Sequence, residues 1–103
     1  MMRRAPDPSD AAPILDRALV ASAASAGLAA CVLDHRSVAW SSATFVGERH
    51  SLTMSIAGEP AAWLAVLPEA EFALRGHLVV DLHVAGVDTD GIVSLEVLTL
   101  ITS

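Results

Sequence analysis

The chain has 103 residues, 53% of them hydrophobic, 17% charged and only 4% aromatic, with a formal net charge of −6. That length makes one domain able to bury a core without disulfides, and the acidic balance excludes a phosphate-backbone partner, which needs a basic patch; no nucleic acid is expected. The single cysteine, Cys31, excludes an internal disulfide and a cysteine-based metal site, and between Ala30 and Val32 it reads as a small buried apolar residue.

All six basic residues are arginine, and Lys, Asn, Gln and Tyr are missing, which reads as a GC-rich bacterial coding habit. Residues 1–10, MMRRAPDPSD, hold two prolines and no apolar periodicity, so a disordered lead is expected, with 11–103 as a single α+β domain. Residues Ala18 to Leu33 carry no charge and loosely imitate a secretory signal. Asp7, Asp10 and Asp16 precede that run, where a signal needs positive charge, and sixteen residues are short for a span. The expectation is a cytoplasmic protein without membrane attachment.

Asp10 is placed to cap a helix that tolerates Pro13 in its first turn, and Ile14, Leu15, Ala18, Leu19, Ser22 and Ala26 recur at helical spacing up to the stop at Gly27. Leu28 to Leu33 reads as a short strand ending in a turn at Asp34-His35-Arg36-Ser37. Val38 to Val46 and His50 to Ala57 read as a hairpin around Gly47-Glu48-Arg49, with Leu52, Met54 and Ile56 on the inner face. Val38 and Trp40 are out of step with Phe45, which a bulge near Ser41-Ser42 would reconcile. Gly58-Glu59-Pro60 then leads into a short helix carrying Trp63, Leu64 and Leu67, stopped by Pro68.

Leu74 to Thr102 holds two long alternating runs joined by Asp88-Thr89-Asp90-Gly91, the form of a β-hairpin. A four-residue loop pairs Val84 with Leu95, Leu82 with Val97, His83 with Glu96 and Leu78 with Ile101. One face then carries Leu78, Val80, Leu82 and Val84 opposite Val93, Leu95, Val97, Thr99 and Ile101. The order α-β-β-β-α-β-β predicts an antiparallel sheet of four to five strands, with the N-terminal helix packed on one face and a short second helix.

The other face of this hairpin divides. Toward the turn it is polar, with His83, Asp81, Ser94 and Glu96; toward the far end Val79, Leu98 and Leu100 need cover, from the Trp63 helix or from another copy of the chain. The leading expectation is therefore a non-enzymatic interaction or structural module that self-associates as a homodimer, with Val79, Leu98, Leu100 and Trp63 at the interface. The alternative is a small-ligand- or metal-binding protein or enzyme using His83, Asp81 and Glu96, since an imidazole with two carboxylates can hold a divalent ion or exchange protons. Arg49 and His50, at the expected hairpin tip, form a second candidate for holding a carboxylate or phosphate. There is no glycine-rich phosphate loop and no nucleophile elbow, and no cofactor is implied.

Overall fold

The computed structural model describes residues 7–102; of the expected disordered lead, residues 1–6 lie outside the described residues. A 3-10 turn at Pro8–Asp10 leads into α1 (Ala11–Ser25), followed by β1 (Ala29–Ser41), β2 (Val46–Ala57), α2 (Ala61–Val66) with a 3-10 turn at Leu67–Glu69, β3 (His77–Val87) and β4 (Ile92–Ile101). The four strands form one antiparallel sheet in the order β1-β2-β4-β3. This is the α+β class that the alternation of patterns predicts.

The sequence gives α1 an apolar stripe at Leu15, Leu19 and Ala23, all fully buried. Burial of each such leucine contributes about 2 kcal/mol. Beneath them lie Leu52, Met54 and Ile56 of β2, Val93, Leu95 and Val97 of β4 and Leu82 of β3. Gly27 ends the helix at φ +80°, a conformation open to glycine without a Cβ penalty. Trp63 of α2 packs into the same layer and donates from its indole Nε1–H to Ser22 Oγ of α1 at 3.0 Å. Both helices therefore cover one face of the sheet, here called the inner face.

Three local findings differ from the sequence reading. The two segments expected as separate strands around Asp34–Ser37 are one continuous β1, with a bulge between Val32 and Asp34 in place of a turn. The β1–β2 turn lies at Ser42–Phe45, where Ser42 Oγ accepts from the backbone N–H of Thr44 and Phe45 at 3.3 and 3.1 Å; Gly47-Glu48-Arg49 belongs to β2. In the last hairpin the Asp88–Gly91 loop and the pairs Val84–Leu95, His83–Glu96 and Leu82–Val97 are as expected. A bulge between Val79 and Asp81 then shifts the pairing, so Leu78 meets Leu100 and His77 meets Ile101. Beyond that bulge the parity inverts: His77 and Val79 turn inward, and Leu78 and Val80 face outward at 49% and 45% exposure.

Cys31 also differs from its expected core position. It pairs with Ser55 on the outer side of the edge strand and is exposed.

The sheet narrows at one point in a way only glycine allows. A Cβ on Gly47 would lie 1.8 Å from the Thr99 carbonyl oxygen and 2.9 Å from Leu100 Cα, both backbone atoms of the paired strand. Gly47→Ala must therefore push β2 and β4 apart, and equilibrium urea unfolding should show a loss of at least about 2 kcal/mol. A loss below about 0.5 kcal/mol, the usual range for a neutral surface change, would contradict this close approach.

Candidate functional site

The strand register lays out the outer face row by row. From β1 to β3 the rows read Trp40–Gly47–Leu100–Leu78, then Val38–Arg49–Leu98–Asp81, then Arg36–Ser51–Glu96–His83. The first row is apolar, the second sets Arg49 and Asp81 on either side of Leu98, the third is polar, and no helix lies over them. Val38, Leu78 and Val80 are exposed on this face, at 45–68%. Phe45, Val46, Leu78, Leu100 and Ile101 also border an open groove of about 630 Å³ at this end.

Two of the four residues expected at an interface are here, and two are not. Leu98 and Leu100 lie on the outer face, as the alternation requires. Val79 faces inward and packs against the core because of the bulge beside it. Trp63 is 5% exposed and belongs to the inner layer, so α2 gives the outer face no cover.

The expected polar cluster is brought together only in part. His83 stands across from Glu96, but the Glu96 carboxylate accepts both its side-chain hydrogen bonds from Ser51 Oγ, at 2.9 and 3.1 Å. Asp81 pairs with Leu98, one row away. Among the described residues no group of three or more His, Cys, Asp or Glu is arranged to hold a metal ion. Arg49 and His50, adjacent in sequence, point to opposite faces: Arg49 is exposed on the outer one and His50 is fully buried on the inner one.

That burial leads to an arrangement the sequence reading missed. On the inner face, His35 Nδ1 lies 2.6 Å from Asp16 Oδ1 on α1, His35 Nε2 lies 2.8 Å from His50 Nδ1, and His50 Nε2 lies 2.7 Å from Thr99 Oγ1. Ser37 Oγ stands 3.0 Å from His50 Nδ1. One proton order satisfies the chain with a single charge, on Asp16. Thr99 donates to His50 Nε2, His50 Nδ1–H donates to His35 Nε2, and His35 Nδ1–H donates to the carboxylate; the order follows from the hydrogen-bonding pattern. The chain ties α1 to three strands, β1, β2 and β4.

Burial, above all, lowers the pKa of His50 from 6.5 to about 4, with His35 and His77 adding to the shift and Asp16 opposing it. His50 is therefore a neutral link at neutral pH. Thr99 is 1% exposed, so its hydroxyl has no access to a substrate and the chain acts as a tie between elements. Beside it Glu48 Oε1 and His77 Nδ1 are buried without a hydrogen-bond partner among the described residues.

A signal for His50 was present in the sequence. It stands two residues before Leu52, in phase with Met54 and Ile56, and so on the face those residues mark as buried. No protein-family model, curated protein or solved structure matches the chain.

The depressed pKa fixes a pH dependence. The unfolded chain takes up a proton at His50 near pH 6.5 and the folded one only near 4, so the unfolded state binds more protons between those values. The contribution is complete above pH 6.5 and is lost as pH falls toward 4. Between pH 6.5 and 5 the unfolding free energy should drop by about 1.6 kcal/mol more in the parent than in His50→Gln, the slope approaching about 1.4 kcal/mol per unit below pH 6. Equal drops in urea titrations of the two proteins would show that His50 is not held neutral by burial.

Proposed function

We propose that the chain is a non-enzymatic interaction module that self-associates through the outer face of its sheet. The observation that carries this reading is the apolar end of the outer face, where Val38, Leu78 and Val80 are exposed beside the half-buried Trp40 and Leu98. Contiguous apolar surface of this kind marks interaction sites.

Extent and charge support a second copy as the occupant. Four strands at about 4.8 Å spacing and ten residues at about 3.3 Å give a planar footprint of about 600 Å². Side-chain relief adds to the accessible area, which brings it near the roughly 800 Å² that each partner contributes to a stable interface. The outer face carries Arg36 and Arg49 against Asp34, Asp81 and Glu96, a balance of −1 in a chain of −6. The acidic excess thus lies elsewhere, and two such faces approach with little net repulsion.

The edges of the sheet compete poorly for the same role. Both edge strands are bulged, β1 after Val32 and β3 after Val79 and Val84, and bulges discourage edge-to-edge pairing. A ligand site at His83, Asp81 and Glu96 has less support, since His83 and Asp81 are exposed and the half-buried Glu96 is engaged by Ser51.

Leu98→Glu places a carboxylate in the middle of the apolar rows and should convert the dimer to a monomer in size-exclusion chromatography with light scattering. Leu98 is half-buried on the outer side of the sheet, so the variant keeps its inner core. A variant of unchanged oligomeric state would remove this face from consideration as the interface.

A further inference from the structure

We infer that the two copies pack face to face as an aligned sandwich whose two-fold axis runs along the strands, joined by reciprocal Arg49–Asp81 ion pairs. This arrangement rests on the self-association reading and specifies its partner surface residue by residue.

The register selects the axis. On the outer face the apolar row lies at one end of the strands, the mixed row of Arg49, Leu98 and Asp81 comes next, and polar rows occupy the other end. A two-fold lying across the strands at mid-sheet sets the apolar row on a polar one. A two-fold along the strands keeps every row opposite its own kind and exchanges left for right, so that β1 lies over the partner's β3 and β2 over the partner's β4. Sheets stacked this way have their strand directions nearly aligned, as in common two-sheet packings at about 10 Å.

The rows then complement themselves. In the first, Trp40 lies over the partner's Leu78, and Gly47, the one position without a side chain, lies under the partner's Leu100. In the second, Arg49 lies over the partner's Leu98 and one strand from the partner's Asp81. With sheets about 10 Å apart and strands about 4.8 Å apart, their Cα atoms are about 11 Å from each other, within reach of an Arg–Asp pair. In the third, Arg36 stands in the same relation to the partner's Glu96.

Arg49 and Asp81 are suited to this role within one chain. Both are exposed, and neither has an ion-pair partner among the described residues. An unpaired arginine and aspartate flanking Leu98 are out of place on a face that meets only apolar surface. Across the two-fold each finds the other, twice per dimer. Such pairs fix the relative orientation of two apolar faces, which hydrophobic contact alone leaves open.

The test uses Arg49→Asp and Asp81→Arg, two exposed substitutions that leave the core untouched. Each alone places like charges opposite one another twice and should raise the dimer dissociation constant at least tenfold. Mixing the two variants should restore a heterodimer to within about threefold of the parent affinity, read by native mass spectrometry, because each then supplies what the other lacks. Rescue on mixing requires that the pairs run between chains. If the parent dimerises but the single variants are unaffected, or mixing restores nothing, this arrangement is overturned while self-association stands. A parent that is monomeric throughout the titration overturns both.

Discussion

One helical layer can cover only one face of a sheet, and this chain has one helical layer. α1, α2 and the 3-10 turns at Pro8–Asp10 and Leu67–Glu69 are the only helical elements among the described residues, and Leu15, Leu19, Trp63 and Leu67 join a single core on the inner side. Among the described residues Trp63 is the one aromatic residue fully in that core, which is otherwise built from Leu, Val, Ile, Met and Ala. The outer face is left with whatever polarity its sequence gives it. One end of that face, around Val38, Leu78 and Val80, is apolar and bare of helix.

The sheet inverts its polarity from end to end. Where β4 finishes, the inner face holds Glu48, His50, His77 and Thr99, while the outer face holds Trp40, Leu78, Leu98 and Leu100. Toward the Asp88–Gly91 loop, the inner face holds Met54, Ile56 and Val93, and the outer one Thr53, Ser55 and Ser94. The polar groups inside are costly to bury, and the Asp16–His35–His50–Thr99 chain satisfies His50 and Thr99 while fixing the placement of α1; Glu48 Oε1 and His77 Nδ1 lie outside it. The same end of the sheet is thus held by directed hydrogen bonds on one side and carries exposed apolar side chains on the other.

Much of the fold was legible because alternation is a local signal. The hairpin β3–β4 follows from it down to the His83–Glu96 pair. Bulges are not legible in the same way. Nothing in the run Leu78-Val79-Val80-Asp81 distinguishes a straight strand of apolar residues from a bulged one, and the single extra residue sends Val79 inside and Leu78 outside. The helix over Trp63 was read correctly, but which face of the sheet it covers depends on tertiary packing. The histidine chain joins residues 16, 35, 50 and 99, and separations of that size leave no pattern in a single sequence. Only the phase of His50 with Leu52 pointed toward it.

Sedimentation equilibrium of the unmodified protein tests the central claim most directly. An open apolar sheet face that binds its own copy predicts a mass of about twice 10.7 kDa at micromolar concentration, dissociating on dilution. A single species at 10.7 kDa across the whole concentration range would contradict it, and would mean that the outer face is tolerated in water as it stands.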